Sequence, residues 1–359
     1  MAKGSAGQPP FGRDYGASTN VVGRVGMEPE VSNAVSDRAT IILAAGKSTR
    51  MNSDLPKVLH DVCGRPMLSY AVDAARDAGV DRLIVVVGHG KDEVISRFGD
   101  VDDVQWVEQV EQYGTGHAVQ CARDALDGFS GSVLVIAGDM PLVRRETLAA
   151  LLQTRESRGD SLTLATAVLA DPTGYGRIVR DDAGKLSAIV EERECTQEQR
   201  EICEVNPSYY CFDSKRLFES LDKIKPDNAK GEYYLTDAIA CLRESGDGVS
   251  AIHAIGADEA VGINSRLDLA EVGRAMQDRI QVALMAEGVT IIDPDNTWIE
   301  FGATIGKDTV VYPFTFIATD ATIGTRCRIG PFAHVGAGEV IDDGSAVAGG
   351  SMVHGVCGS

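Results

Sequence analysis

Two basic residues, Arg50 and Lys57, follow a run of very small residues at the end of an apolar segment. Residues 43–57 read LAAGKSTRMNSDLPK, and the strand-like residues 40–43 lead into them. Small side chains let backbone N–H groups approach phosphate oxygens closely, and the two cations add charge of the required sign. The spacing predicts a loop that binds a nucleoside triphosphate, although an ordinary turn with solvated cations has a similar composition.

The loop matches neither common phosphate-binding pattern, because G-x-x-x-x-G-K-[ST] and G-x-G-x-x-G are both absent from the chain. It resembles the signature of sugar-1-phosphate nucleotidylyltransferases, L-x-x-G-x-G-T-R-M followed by P-K. Ser48 stands in the place of the second glycine. Because serine is small, we expect a slightly stiffer loop that keeps its function.

Composition excludes several classes of partner and location. The chain has 359 residues and a net charge of −19, which argues against binding to nucleic acid or to an anionic membrane. Eight cysteines form no C-x-x-C pair, which predicts reduced thiols and a cytoplasmic protein. Residues 1–38 are rich in Gly, Ser, Asn and Pro and predict a disordered leader without a secretion signal. No apolar run is long enough for a membrane span.

Apolar strand patterns alternate with amphipathic helical patterns over residues 39–264. Strands are predicted at 40–44, 83–87, 104–108, 132–137, 162–168 and 208–212, and helices at 67–78, 117–125 and 145–154. This alternation predicts an α/β fold with a mainly parallel, Rossmann-like three-layer sheet. Ligands bind such folds at the carboxyl ends of the strands.

A linking helix is predicted over residues 265–288, after which the pattern changes. Ile or Val recurs at every sixth position from Ile299 to Val353. This period is typical of the hexapeptide repeat of a left-handed parallel β-helix. We therefore expect a short β-helix over residues 289–359, and a homotrimer, because proteins with this repeat commonly associate along their coils.

Two further strand ends carry polar groups. Gln109 can offer a donor and an acceptor to a pyrimidine edge, and Gly114 and Thr115 open a helix whose backbone can lie against a base. The nearby His117 suits a packing or capping role better than a catalytic one. Asp139 follows the apolar strand that ends at Ala137 and Gly138, where its carboxylate could hold Mg²⁺ beside a triphosphate.

Four short segments mix Gly, carboxylate, amide and aromatic groups, as a hydroxyl-rich ligand requires. Each of them has the composition of an ordinary turn or solvated face when it is taken alone. They are residues 172–177, 189–192, 204–206 and 231–237, the last of which contains Tyr234 and Thr236.

These motifs, in this order, resemble the bacterial N-acetylglucosamine-1-phosphate uridyltransferases, which are usually fused to a glucosamine-1-phosphate acetyltransferase. The resemblance runs from about residue 40 to 340 and implies a role for each site residue. The implied nucleotide-binding residues are Leu43, Ala44, Ala45, Gly46, Gln109, Gly114, Thr115, Ala137 and Gly138. The implied catalytic residues are Arg50 and Lys57, the implied Mg²⁺ ligands are Asp139 and Asn264, and the implied sugar-binding residues are Gly176, Glu191, Asn206, Tyr234 and Thr236.

The chain departs from the family pattern at two places. Ala137 stands where many members have tyrosine, which should affect substrate packing more than chemistry. In the β-helix, His334 and Gly336 stand where the family has arginines, and the repeat covers only about three coils. We therefore expect the acetyltransferase activity to be absent.

The resemblance implies a Mg²⁺-dependent reaction of UTP with N-acetylglucosamine 1-phosphate that gives UDP-N-acetylglucosamine and pyrophosphate. Two alternatives stay open at this point. One is the same reaction with another sugar 1-phosphate, and the other is a non-catalytic regulatory subunit of the same architecture.

Overall fold

The computed structural model describes residues 37–46, 49–98, 101–228 and 231–353. The predicted leader therefore lies outside the described residues except for its last two positions, and Ser48 of the phosphate loop also lies outside them. Among the described residues, no helix is both long enough and apolar enough to cross a lipid bilayer.

The part of the chain before the β-helix alternates strands with helices. Its strands are β1 (Arg38–Ala44), β2 (Asp61–Val62), β3 (Arg65–Pro66), β4 (Arg82–Val87), β5 (Val104–Glu108), β6 (Ser132–Ala137), β7 (Leu162–Val168), β8 (Gly176–Arg180), β9 (Leu186–Val190), β10 (Glu204–Asn206), β11 (Tyr210–Asp213) and β12 (Val249–His253). Its helices are α1 (Met67–Asp77), α2 (Lys91–Phe98), α3 (Thr115–Cys121), α4 (Arg145–Arg158), α5 (Gln197–Arg200), α6 (Ser214–Leu221), α7 (Ala238–Glu244) and α8 (Arg266–Ala286).

Ten of these strands form one sheet in the order β5-β4-β1-β6-β11-β7-β10-β8-β9, with β12 beside β7. The expectation of a mainly parallel sheet is wrong. Strands β5, β4, β1 and β6 are parallel, but every neighbour pair from β6 through β11 to β9 is antiparallel. The physical reason is visible at β8 and β9, which are joined by a tight turn over residues 181–185, and a turn this short can only connect antiparallel strands.

Helices cover both faces of the sheet, as a three-layer α/β fold requires. Neighbouring residues of β1 point to opposite faces, so that Ile42 packs in one apolar cluster with Leu68 of α1 and Leu148 of α4. Ile41 packs in the other cluster with Val119 of α3 and with residues of α6 and α7. The central parallel strands are therefore buried on both faces, and their carboxyl ends open toward solvent at one edge.

The chain then forms the β-helix that the six-residue period predicts. Eleven short strands make three faces: β13 (Thr290–Ile291), β14 (Thr297–Ile299), β15 (Thr304–Ile305), β16 (Val310–Val311), β17 (Thr315–Ile317), β18 (Thr322–Ile323), β19 (Arg328–Ile329), β20 (His334–Val335), β21 (Val340–Ile341), β22 (Ala346–Val347) and β23 (Met352–Val353). The repeating Ile and Val side chains point into the prism, and Ile299, Val311, Ile317 and Ile329 are fully buried.

Helix α8 connects the two regions through buried amides. Gln277 exchanges two hydrogen bonds with the backbone of Ile299 in β14, its Oε1 accepting from the amide at 2.9 Å. One turn later, Gln281 Nε2 donates to the carbonyl of Thr297 at 2.8 Å. Since a buried amide without partners is costly, these bonds fix the position of the first coil against the helix.

Candidate active site

Two adjoining clefts open at the edge where β1 and β6 end, with volumes of about 570 and 620 Å³. The first is bordered by the ends of β1 and β6 and by the start of α3. The second extends toward β8, β10 and the segment that leads into α8. Six residues line both clefts: Arg50, Ala137, Asp139, Glu191, Ser208 and Asn264. A molecule in one cleft would therefore meet a molecule in the other at this shared border.

The predicted phosphate loop begins at the end of β1. Leu43, Ala44, Ala45 and Gly46 line the first cleft, and Arg50 reaches the border between the clefts. Lys57 follows Pro56 and starts a short helical turn in which Val58 and Leu59 are buried. The loop is thus held at its far end by apolar packing, and it brings both predicted cations to the strand ends.

The predicted metal ligands, Asp139 and Asn264, share one partner. Lys57 Nζ forms an ion pair with the Asp139 carboxylate and donates to Asn264 Oδ1 at 2.9 Å. Two oxygens that together hold an ammonium group form a cation site, and one carboxylate with one amide oxygen is a donor set that Mg²⁺ accepts beside phosphates and water. Among the described residues, no group of three or more His, Cys, Asp or Glu is placed to hold a metal ion.

Backbone hydrogen bonds hold both predicted metal ligands, Asp139 and Asn264, in position. Asp139 follows β6, and its carbonyl accepts from the amide of Ile263 at 3.0 Å. The amide of Asn264 donates to Asp268 Oδ2 at 2.7 Å, within the capping box that starts α8. The two residues are therefore held in place by different elements.

Gln109, Gly114 and Thr115, the residues predicted to contact the base, all line the first cleft. Gln109 is buried, and its Nε2 donates to the carbonyl of Gly114 at 3.1 Å and lies 3.0 Å from His117 Nδ1. This contact with Gln109 fits the packing role suggested for His117. Gly114 has φ 106°, and a Cβ there would lie 2.6 Å from the carbonyl oxygen of Tyr233, so only glycine fits.

The predicted sugar-binding residues are divided between the two clefts. Gly176 and Asn206 line the second cleft, Tyr234 and Thr236 line the first, and Glu191 lines both. Thr236 contacts the shared border, because its hydroxyl donates to Glu191 Oε1 at 3.3 Å. Ala137 lines both clefts, whereas the lining of neither includes Gly138.

Several contacts near the site are not indicated by the sequence patterns. Gln112 Nε2 donates to the carbonyl of Ala45 at 2.6 Å and so contacts the phosphate loop directly. Its place in the glutamine-rich segment after β5 is the only hint. Arg177 is buried and pairs at 2.6 Å with Glu192, which also accepts from the amide of Gly174 at the rim of the second cleft.

Arg266, the first residue of α8, contacts the phosphate loop at Met51 and the chain just after the loop at His60. Its Nε donates to the carbonyl of Met51 at 3.3 Å, and its Nη1 lies 3.2 Å from His60 Nδ1. Burial, together with this guanidinium, lowers the pKa of His60, so that its ring stays neutral and can accept the bond. Arg266 thus links Asn264, two residues away, to the loop that carries Arg50 and Lys57.

Comparison with known protein families agrees with this arrangement. The model of the MobA-like NTP transferase domain matches residues 40–241, which is more than half of the chain. The model of the bacterial transferase hexapeptide, with six repeats, matches residues 302–337 in the β-helix. The fold and these matches define a protein with an NTP transferase domain followed by a left-handed β-helix.

Individual relatives narrow the class. The bifunctional protein GlmU of Heliobacterium modesticaldum is 48% identical over 299 residues, covering 83% of this chain and 65% of that protein. The proteins of the same name from Shouchella clausii and Pelobacter propionicus are 42% and 41% identical and are covered over 68% and 72% of their lengths. The chain belongs to the GlmU family. It spans slightly less than two thirds of the Heliobacterium protein.

Proposed function

We propose that the chain is a uridylyltransferase that makes UDP-N-acetylglucosamine and pyrophosphate from UTP and N-acetylglucosamine 1-phosphate. The observation that carries this proposal is the cation site of Asp139 and Asn264, with Arg50, at the border between two clefts. A triphosphate in the first cleft and a sugar phosphate in the second would meet there. The match to the MobA-like NTP transferase domain supports a nucleotidyltransferase but does not specify the sugar.

In the proposed reaction, an oxygen of the sugar phosphate attacks the α-phosphorus of UTP, and the bond to pyrophosphate breaks. The attacking phosphate is already anionic, so no general base is needed, and catalysis consists of positioning and neutralisation of charge. Arg50 would stabilise the leaving pyrophosphate, and Lys57 would orient the incoming phosphate. Asp139 and Asn264 would hold Mg²⁺, which would neutralise negative charge of the phosphates.

Further parts of the proposal rest on other features. The described cysteines are all free, which supports a reducing, cytoplasmic location. Phe314 and Phe332 are stacked with centroids 5.0 Å apart while 54% and 62% exposed, and such a surface on the β-helix supports a homotrimer. We propose that the chain has no acetyltransferase activity, because His334 and Gly336 stand where the family resemblance implies arginines.

A pyrophosphate-release assay over a panel of nucleotides and sugar phosphates tests the proposal. We expect Mg²⁺-dependent release with UTP and N-acetylglucosamine 1-phosphate. Asp139→Asn should lower the rate by several orders of magnitude with an unchanged melting temperature, because one anionic ligand is lost. Asp92→Asn, on the exposed face of α2, is the matched control. If another sugar phosphate gave faster release, that sugar phosphate would be the substrate. If no pair of nucleotide and sugar phosphate released pyrophosphate, the result would favour a non-catalytic subunit.

A further inference from the structure

Lys57 makes an unexpected contact for a residue proposed to orient a phosphate. Its ammonium group lies between Asp139 and Asn264, and the lysine side chain is only 10% exposed. The predicted phosphate ligand and the two predicted metal ligands are thus partners of one another. One positive group already satisfies both oxygens.

The lysine side chain is the movable part of this cluster. The backbone of Lys57 is fixed by the helical turn, in which the amide of His60 donates to the Lys57 carbonyl at 3.2 Å. Asp139 and Asn264 are fixed by their own backbone bonds to Ile263 and Asp268. A lysine side chain has a flexible stem of four carbons, and its ammonium group carries three hydrogen-bond donors. The ammonium group can therefore change partner while the backbone of the lysine stays in place.

We propose that Lys57 is the resident counter-ion of the metal site and competes with the divalent cation for Asp139 and Asn264. An ammonium group and a divalent cation that contact the same two oxygens repel each other, so only one can occupy the position. A bound triphosphate offers the lysine another anionic partner until the sugar phosphate arrives, and it leaves the two oxygens to the metal ion. This inference rests on the proposed function, since it uses the same ligands and the same nucleotide.

The competition has a thermodynamic consequence. Release of Lys57 toward the nucleotide strengthens metal binding, and by linkage the metal ion strengthens nucleotide binding by the same factor. Before the nucleotide arrives, the lysine keeps the partly buried carboxylate of Asp139 paired, since an unpaired charge there would be costly. The site would therefore bind metal weakly until the nucleotide is present.

Titration of the full chain with Mn²⁺ in the absence of nucleotide, followed by spin resonance of the free ion, tests this inference. We expect Lys57→Met to bind Mn²⁺ about tenfold more tightly than the unmodified chain, within the usual range of coupling between sites. Lys57→Gln is a second variant that we also expect to bind Mn²⁺ more tightly than the unmodified chain. Lys91→Met is the matched control, because Lys91 pairs with Glu108 on the surface and the substitution changes the net charge equally.

Asp139→Asn separates the two possible failures. If it binds Mn²⁺ as well as the unmodified chain, the predicted metal site itself is wrong. If it loses Mn²⁺ binding while Lys57→Met and Lys57→Gln bind no more tightly than the unmodified chain, the metal site stands and the competition is overturned. Equal tightening in Lys91→Met would also overturn it, because the gain would then reflect net charge alone.

Metal-free binding of UTP, measured by calorimetry in a chelator, gives a second readout. Asp139→Asn should bind UTP more tightly, because Lys57 is no longer held by the carboxylate. Part of that gain comes from removing the repulsion between the Asp139 carboxylate and the triphosphate. The double variant of Asp139→Asn and Lys57→Met completes a mutant cycle that separates this part from the release of Lys57. The gain should shrink in the Lys57→Met background. An equal gain in both backgrounds would contradict the exchange of partners.

Discussion

The α/β region that precedes the β-helix and the β-helix itself differ in the sequence separation of the residues that contact each other. Lys57 and Asn264 form a hydrogen bond across 207 positions of sequence, and other site residues come from the ends of several separate strands. In the β-helix, each strand pairs with the strand one coil further on, as Thr297 does with Thr315. Substitutions in the β-helix core should therefore affect stability, whereas those at the cleft should affect activity with little loss of stability.

The largest expected effect is on the stability of the β-helix. Ile317→Ala removes a fully buried side chain of β17, which should lower the free energy of unfolding by about 2–5 kcal/mol. Transferase activity measured well below the melting temperature should remain close to normal. Val340→Ala, at a position that is 69% exposed on β21, is the control and should change stability by less than about 0.5 kcal/mol. Loss of activity in Ile317→Ala without loss of stability would show that the regions are coupled.

At the cleft, Arg50→Ala should lower kcat/KM about a hundredfold, because it removes a charge-assisted contact with phosphate worth about 1.5–3 kcal/mol. Steady-state kinetics at several UTP concentrations would measure it, with thermal unfolding as the check on the fold. Arg145→Ala removes the same charge from the exposed start of α4 and should leave the kinetics unchanged. Equal effects of the two substitutions would mean that Arg50 acts only through net charge.

These two regions also differ in how far the sequence predicts them. The hexapeptide period placed the inward residues of the β-helix correctly because each repeat forms its own local structure. Strands β5, β6 and β7 have the predicted bounds. For β6 and β7 the reason is an apolar run that is buried on both faces, whereas β5 is partly exposed. Strands β8 and β9 were missed, since each has only five residues, and their antiparallel pairing depends on a tight turn rather than on an apolar pattern.

The candidate site was predictable in its residue types but not in its contacts. Small residues followed by Arg and Lys indicate a phosphate loop, and that assignment of roles stays a prediction. No sequence pattern indicates that Lys57 contacts Asp139, or that Arg266 joins Met51 to His60, because these pairs form only when distant segments meet. The strand that Ser208–Phe212 predicts begins at Tyr210 instead, which leaves Ser208 to line both clefts.

The smallest expected effect concerns Arg266, which lines neither of the two clefts and would act through the loop. Arg266→Met keeps the aliphatic stem but loses the bonds to Met51 and His60, and it should lower kcat about tenfold, near the lower end of the range for bonds from charged groups. The KM for the sugar phosphate should change little. Arg274→Met, on the exposed face of the same helix, is the control. A lower melting temperature with unchanged kcat would assign Arg266 to stability alone.

The spacing of the coils also limits how such a protein can change in length. Strands on one face are 18 residues apart, as Val311 and Ile329 are. An insertion or deletion of 18 residues returns the following chain to the same face, whereas one of six turns it by a third of a revolution and moves every outward side chain to a neighbouring face. We therefore expect homologues to gain or lose whole turns, and engineered versions to tolerate the same unit, so that the β-helix behaves as a spacer of adjustable length.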